Sequence, residues 1–338
     1  MQSRLIWQAQ GQWQLEHGPF GRLPSPKASN WTLLVQSLDV HDDRASELLH
    51  QFNFIPTARL DDLMASIATR GGGVGPHFDS YDVFLIQAQG QRHWKYGQQK
   101  DLSLIEGLPL KILREFQPEQ DAVLAPGDML YLPPHAAHDG IALTDDCMTL
   151  SVGFRAPDMA TLAQGMLEAA AEQIAAREHG AHSPMSDPPL AGPKLSARFK
   201  DPTQPAVSTP AELPERLVQA CVDAVQRLQF DAALARRFLG CWLTEPNVLA
   251  VFEPTIEDNQ LKPGVLLVLD RRTRMLYDQQ GIFINGERAP VRPTEALKTL
   301  ANTRQLALTP TVLRGLPETA RECLLDWADA GWIHLRQT

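Results

Sequence analysis

Cysteine is scarce in this chain of 338 residues, which contains only four. Cys147, Cys221, Cys241 and Cys323 are widely spaced, and none of them forms a Cys-x-x-Cys pair. A disulfide framework is therefore not expected. The pattern favours reduced, mostly buried thiols in a cytoplasmic protein.

Long hydrophobic runs are missing as well. No apolar stretch reaches the roughly 20 residues that a transmembrane helix needs. The first residues, Met1 to Leu5, lack the long apolar core of a signal peptide. We therefore expect no association with a membrane.

Basic residues do not predominate, because the chain has 31 Lys and Arg compared with 40 Asp and Glu. Its formal net charge is −9. Non-specific binding of nucleic acid depends on a basic face, so direct nucleic-acid binding is not expected. The same charge is compatible with a basic protein partner. A hydrophobic content of 43% is ordinary for a globular protein, and the length allows two or three domains.

A glycine-rich stretch leads into a His-x-Asp pair. Residues Gly71 to Pro76 precede His77 and Asp79, so the backbone enters this pair through a special conformation. The pattern from His77 to Gln87 predicts a strand. Because side chains alternate faces along a strand, His77 and Asp79 are expected to point the same way.

A second histidine stretch follows a turn at Pro126 to Asp128 and a short apolar strand. It contains His135 and His138. A lone His-x-Asp pair is more often solvated surface. Together with a distant histidine, however, it is the ligand set of a non-haem iron oxygenase, which leaves positions open for cosubstrate and dioxygen. We therefore predict a metal site.

The distal ligand is predicted to be His138 rather than His135. Pro133 and Pro134 cannot continue a regular strand ladder, so the chain must turn before it re-enters the sheet. His135 lies on the way out of this turn. There it either lines the entrance of the site or is an incidental surface histidine.

The pattern divides the chain into three parts. Residues 1–156 contain short strands separated by Gly and Pro turns, which predicts a barrel or sandwich. Residues 157–246 are helical, with helices predicted from Asp158, Thr209 and Asp231 and a Pro/Ser-rich loop from His182 to Pro210. Residues 247–338 alternate strands and helices in a small winged-helix-like module, for which docking is a better interpretation than DNA reading.

The helical part buries too little apolar surface by itself. The helix predicted from Thr209 carries an apolar stripe. We interpret this part as a packing or homodimerisation region. The stripe consists of Leu217, Cys221, Ala224 and Leu228.

Several motifs together resemble the bacterial ribosomal oxygenases, which are JmjC-type enzymes with a cupin fold. The resemblance covers nearly the whole chain and is most specific in the metal strands. The motifs are Asp61 to Met64, Gly71 to Asp79, Tyr81 to Phe84, Tyr131 to Pro134 and Ser151 to Pro157. It implies a mainly β catalytic domain, a double-stranded β-helix, followed by an α-helical dimerisation region and a small α+β winged-helix-like domain.

The resemblance also implies an activity: hydroxylation of an arginine at its β-carbon in a large-subunit ribosomal protein, with Fe(II), 2-oxoglutarate and dioxygen. His77, Asp79 and His138 are implied as the metal ligands. Arg92 fits the cation that holds the far carboxylate of 2-oxoglutarate, with Lys95 as the local competitor. Ser66 is a candidate hydroxyl donor to the same carboxylate.

Some alternatives remain open at the level of sequence. Asp82 lies just past the ligands and is either an acidic partner for a substrate guanidinium or a buried strand residue. A histidinyl hydroxylase or a protein demethylase of the same superfamily would carry the same ligands. A non-catalytic metal-binding scaffold would carry them too.

Overall fold

The computed structural model describes residues 2–254 and 260–337, and the chain divides into two compact units. The first unit comprises residues 1–156 together with the short segment 247–251, and the second comprises residues 157–246 and 252–338. The division into three domains, 1–156, 157–246 and 247–338, stays a prediction.

The first unit is built of ten strands and one α-helix. Seven strands form an antiparallel sheet in the order β2-β1-β3-β4-β10-β5-β8, and three form a second sheet in the order β7-β6-β9. The predicted mainly β fold, a double-stranded β-helix, is confirmed. The elements are β1 (Ser3–Ala9), β2 (Gln12–His17), β3 (Trp31–Val35), α1 (Asp43–His50), β4 (Leu60–Ala68), β5 (Val83–Gln89), β6 (Arg92–Gly97), β7 (Gln120–Leu124), β8 (Met129–Leu132), β9 (Ala137–Ala142) and β10 (Cys147–Phe154).

Strand β4 separates an apolar face from a polar one. Leu63 is fully buried and packs in one cluster with Ala45 and Leu49 of α1. Since side chains alternate along a strand, Asp62 and Ser66 lie on the opposite face, which lines the interior between the two sheets. The alternation on this one strand therefore fixes which polar groups can enter a site.

The strand predicted from His77 to Gln87 begins later than expected. His77 makes only an isolated bridge with His138, and regular pairing starts at Val83. Between these two points, the carbonyl of Asp79 accepts the N–H of His135 and the carbonyl of Asp82 accepts the N–H of Phe154, so residues 78–82 form no regular ladder with one strand. The prediction of a strand over His77 and Asp79 was wrong.

The second unit contains a helical part and a small mixed module. The prediction of a small α+β winged-helix-like domain is confirmed. The elements of the second unit are α2 (Met159–His179), α3 (Glu215–Gln226), α4 (Ala232–Thr244), β11 (Val265–Leu269), β12 (Met275–Tyr277), β13 (Ile282–Ile284), β14 (Glu287–Arg288), α5 (Glu295–Thr303), β15 (Gln305–Leu308), α6 (Pro310–Gly315), α7 (Glu318–Asp329) and β16 (Ile333–Gln337).

Two of the predicted helix starts in this unit are confirmed. Asp158 caps α2 by accepting the N–H of Thr161, and Asp231 caps α4 by accepting the N–H groups of Ala233 and Leu234. The helices α2 and α4 pack against each other around the buried ring of Phe238.

The predicted start at Thr209 was wrong. Thr209 forms a local turn with Glu212, and α3 begins only at Glu215, after Pro214. Proline disfavours the helical conformation in the residue before it, so a helix cannot run through residues 210–214. No residue of α3 is buried.

Two general expectations can be compared with the described residues. Cys147, Cys241 and Cys323 are buried, Cys221 is exposed, and all four are free, which confirms mostly buried thiols. Within residues 2–254 and 260–337, no helix combines the length and the apolar character that crossing a membrane requires.

Candidate metal centre and cosubstrate pocket

Three side chains from separate parts of the first unit converge on one point. One ligand atom each of His77, Asp79 and His138 lies within 4.8 Å of the others. Asp79 Oδ2 is 3.7 Å from His138 Nε2. The ring centroids of the two histidines are 4.2 Å apart. Two imidazoles and one carboxylate at this spacing fit a divalent transition metal with open positions.

Backbone pairing brings these residues together. The N–H of His77 donates to the carbonyl of His138 at 2.9 Å, and the N–H of His138 donates back at 2.8 Å. Before this bridge, the N–H of Gly71 donates to the carbonyl of Ala142 at 2.8 Å. A Cβ at Gly73 would lie 2.7 Å from the backbone oxygen of Gly140 in β9, so glycine permits this close passage.

Both imidazoles are oriented by the backbone. The Nδ1 of His77 is 2.8 Å from the carbonyl of Gly75, and the Nδ1 of His138 is 2.9 Å from the carbonyl of Ala136. A neutral ring that donates Nδ1–H in this way presents the lone pair of Nε2. Burial, with His77 nearby, lowers the pKa of His138 to about 3. The ring is therefore neutral and ready to ligate a metal.

His135 lies apart from this group. It occupies the third position of a turn closed by the Ala136 N–H and the Pro133 carbonyl at 3.1 Å, and its φ is 65°. Its side chain is exposed and its ring centroid is 5.8 Å from that of Phe78. Its N–H donates to the carbonyl of Asp79 at 2.7 Å. The structure thus brings His138 to the pair and leaves His135 at the surface.

Arg92 supplies a buried cation inside the same barrel. Only 2% of it is exposed, and its Nη2 donates to Ser66 Oγ at 3.2 Å. The guanidinium carbon lies 5.6 Å from the ring centroid of Trp94. Arg92 Nε is buried and has no hydrogen-bond partner among the described residues. A buried guanidinium with an unused donor fits a bound carboxylate.

Lys95, the local competitor of Arg92, is placed differently. It is exposed, and it lies three residues after Arg92 and one after Trp94, so strand alternation puts it on the opposite face from both. The structure therefore brings Arg92 and Ser66 together and does not bring Lys95 to them.

Sequence reasoning missed a second charged group on the inner face, Asp62. Burial raises the pKa of its carboxyl to about 6, and the backbone N–H of Ser37 opposes this shift. The pKa of Tyr81 is raised by burial and by Asp79 and Asp62, so this ring lies near both carboxylates. The sequence could have indicated this position, because Asp62 lies four residues before Ser66 and residues at this spacing share one face of β4.

Asp82 points to a different place from the metal group. Tyr131 Oη donates to its Oδ1 at 2.7 Å, and Arg59 Nη2 lies 3.3 Å from its Oδ2. These groups line a cavity of about 350 Å³ with Phe84 and Phe154, whose rings pack on the side of α1. Asp82 is thus neither a buried strand residue nor a free acidic partner near the ligands.

Comparisons with known proteins agree with this architecture. A family model described as a JmjC domain matches residues 47–162, and one described as a ROXA-like winged helix matches residues 227–334. The chain is 33% identical over 319 residues to the ribosomal protein uL16 3-hydroxylase of Escherichia coli, which covers 91% of this chain and 79% of that protein.

Two further relatives extend this similarity. A probable ribosomal oxygenase of Haemophilus influenzae is 30% identical over 341 residues, covering 94% of this chain and 80% of the relative. The structure of YcfD, a ribosomal oxygenase from Escherichia coli, in complex with cobalt and 2-oxoglutarate superimposes with a TM-score of 0.74 and 28% identity. The superposition covers 99% of this chain and 86% of that one.

The two histidines of the distal loop are predicted to differ in metal binding. His138→Ala removes a buried ligand atom from the group and should abolish tight binding of Fe(II) or of cobalt. His135→Ala removes an exposed ring and should leave metal binding unchanged. Calorimetric titration of both variants with cobalt, alongside circular dichroism as a control for folding, checks this. Loss of metal by the folded His135→Ala variant would contradict the assignment.

Proposed function

This chain belongs to the bacterial ribosomal oxygenases, and we propose that it hydroxylates the β-carbon of an arginine in a large-subunit ribosomal protein. The relative in Escherichia coli is named as a uL16 3-hydroxylase, which supports a ribosomal protein of this kind as the substrate. The observation that carries the proposal is a His-Asp-His group in the same barrel as the buried cation Arg92 and the half-buried carboxylate of Asp62.

His77, Asp79 and His138 are the proposed ligands of Fe(II). When bound, the iron supplies the oxidising chemistry with dioxygen and 2-oxoglutarate, which no protein side chain can supply for an unactivated C–H bond. The protein contributes orientation, because the backbone carbonyls of Gly75 and Ala136 fix both imidazoles.

Arg92 is the proposed partner of the far carboxylate of 2-oxoglutarate. Its guanidinium offers paired donors that match a carboxylate, and burial strengthens the attraction. Ser66 already accepts a hydrogen bond from Arg92, so its own hydroxyl hydrogen is available for the same carboxylate. These two residues would hold one end of the cosubstrate.

Asp62 is the proposed partner of the substrate guanidinium. Its carboxyl is half-buried, and the nearby acidic residues Asp61 and Asp39 raise its pKa in addition to the effect of burial. A cation placed beside Asp62 would offset the free-energy cost of burying its charge and the repulsion from Asp61 and Asp39. The proposed site therefore has a cationic group for the cosubstrate and an anionic group for the substrate arginine.

A ribosomal protein substrate and reduced thiols both fit a cytoplasmic location.

The homodimer is proposed on the evidence of α3. This helix has no buried residue, and its exposed apolar side chains include Leu217, Val218, Val222 and Val225. An amphipathic helix gains most of its stability by packing its apolar face against a partner. A second copy of this chain is the proposed partner.

Substitution of Arg92 should weaken the cosubstrate selectively. Arg92→Ala leaves one carboxylate of 2-oxoglutarate without its partner, at a cost of about 2–5 kcal/mol, so the KM for 2-oxoglutarate should rise at least about thirty-fold. Arg92→Lys keeps the charge without the paired donors, so its KM for 2-oxoglutarate should lie between that of the unmodified enzyme and that of Arg92→Ala. Turnover of 2-oxoglutarate to succinate at varied concentration measures this.

The exposed Lys95 provides the matched control for this test. Lys95→Ala should keep the KM of the unmodified enzyme. A larger effect at Lys95 than at Arg92 would move the carboxylate site to Lys95.

Hydroxylation itself should depend on Asp62 and on pH. With Fe(II) and 2-oxoglutarate, the enzyme should add one oxygen to an arginine of a large-subunit ribosomal protein, and peptide mapping by mass spectrometry locates it. Asp62→Asn loses a charge-assisted contact of about 1.5–3 kcal/mol, so kcat/KM for the protein substrate should fall roughly 10- to 150-fold. Below pH about 6 the carboxyl is protonated, so kcat/KM should decrease there.

The Asp62→Asn variant should lack the decrease in kcat/KM below pH about 6, because it has no carboxyl to protonate. Loss of a methyl group instead of gain of an oxygen would contradict the reaction. An Asp62→Asn variant with normal kcat/KM would contradict the role of this residue.

The dimer should dissociate when α3 is made polar. Val222→Asp places a charge on the apolar face and should convert the protein to a monomer at micromolar concentration. Gln219→Asp, an exposed polar position on the same helix, should not. Sedimentation velocity distinguishes the two results. A monomeric unmodified protein would contradict the proposal.

A further inference from the structure

The half-buried carboxylate of Asp62 accepts hydrogen bonds from Ser37. The backbone N–H of Ser37 donates to Asp62 Oδ2 at 2.9 Å, and its hydroxyl is 3.4 Å from the same oxygen. Ser37 is itself buried and adopts the left-handed conformation, with a φ of 54°. A non-glycine residue is uncommon in this conformation, which costs free energy that the surroundings must offset.

Ser37 is in turn held from a distant part of the chain. Asn247, which is 210 residues away in sequence, donates from Nδ2 to Ser37 Oγ at 2.9 Å. The Oδ1 of Asn247 accepts the N–H of Leu249 at 2.9 Å, and this second bond fixes which end of the amide faces Ser37. The Ser37 hydroxyl therefore accepts from Asn247 and is left to donate its hydrogen to Asp62.

The segment that carries Asn247 is short and separate from its neighbours in sequence. Residues 247–251 belong to the compact unit of the β domain, whereas the residues on both sides of them belong to the other unit. The side chain of Val248 in this segment is 87% exposed, so the apolar packing of this neighbour does not explain why the segment lies here. The hydrogen bond of Asn247 to Ser37 joins this segment to the β domain.

We propose that Asn247 is a positioning residue for substrate recognition, which orients the Asp62 carboxylate toward a cationic side chain of the protein substrate through the Ser37 hydroxyl. This inference rests on the proposed role of Asp62 in binding the substrate arginine. It adds a residue from beyond the helical region to the recognition machinery of the β domain.

The chain of hydrogen bonds explains why Asn247 would matter at a distance. A hydroxyl that accepts one hydrogen bond becomes a better donor for the next, and consecutive bonds strengthen one another. The groups that act on Asp62 are Asp61 and Asp39, which disfavour its charge, Ser37, which favours it, and the Tyr81 hydroxyl group nearby. Weakening the Ser37 donor therefore leaves the carboxylate less ionised and less well oriented.

The experiment compares Asn247→Ala with Val248→Ala, an exposed neighbour in the same segment. Loss of one neutral hydrogen bond in this network should raise the KM for the protein substrate about two- to ten-fold in Asn247→Ala. The pH at which kcat/KM falls should move upward, because Asp62 loses support for its charged form. Val248→Ala should change neither quantity.

Two further measurements separate positioning from general damage to the fold. Asn247→Ala should keep cobalt affinity and the KM for 2-oxoglutarate, since it touches neither the metal group nor Arg92. Ser37→Gly suits the left-handed conformation, removes the hydroxyl and keeps the N–H, so it should reproduce the effect of Asn247→Ala. The double variant should add nothing further, because both changes break the same chain of bonds.

The outcomes for this inference and for the proposed function are distinct. If Asp62→Asn impairs the protein substrate but Asn247→Ala leaves both the KM and the pH profile unchanged, the positioning role is overturned and the role of Asp62 stands. If Asp62→Asn itself has no effect, the proposed recognition by Asp62 has failed. Additive effects of Asn247→Ala and Ser37→Gly would also overturn the relay through the hydroxyl.

Discussion

The site depends on the reciprocal backbone hydrogen bonds between His77 and His138. These two bonds, at 2.9 and 2.8 Å, join a stretch without regular strand structure to the start of β9. Since the ligand atoms lie within 4.8 Å only because the two backbones are in register, a shift of one residue would turn a ring away. The glycines before His77 serve this pairing by letting two backbones pass in close contact.

Two opposite charges of the barrel interior, Arg92 of β6 and Asp62 of β4, lie at separate points along β4. Ser66, which contacts Arg92, and Asp62 lie on the same face of β4 and are four residues apart, or about 13 Å at the rise of a strand. Under the proposed function, the cationic group binds a carboxylate of the cosubstrate and the anionic group binds a guanidinium of the substrate. Recognition of both partners would then follow from the alternation of a single strand.

The anionic group also connects the site to a remote part of the chain. Asp62 is held by Ser37, and Ser37 by Asn247, which follows the helical region in sequence. A buried carboxylate needs such donors, because burial without hydrogen bonds would leave it protonated near neutral pH. Ser37 and Asn247, which have no other role in the site, therefore contribute to stabilising this one charge.

The sequence by itself predicted a mainly β domain and the grouping of His77, Asp79 and His138, which the structure brings together, from local patterns such as glycine turns and two consecutive prolines. The double-stranded β-helix came from the resemblance, and the strand alternation expected over His77 and Asp79 was wrong. The sequence also pointed to Arg92 by resemblance. Tertiary structure decided that Asp62, and not Asp82, faces the interior, and that Asn247 reaches Ser37. The sequence does not show which face of a sheet a charged residue occupies. A hydrogen bond between residues 210 positions apart also leaves no local sequence pattern. Only the packing of the sheets assigns these partners.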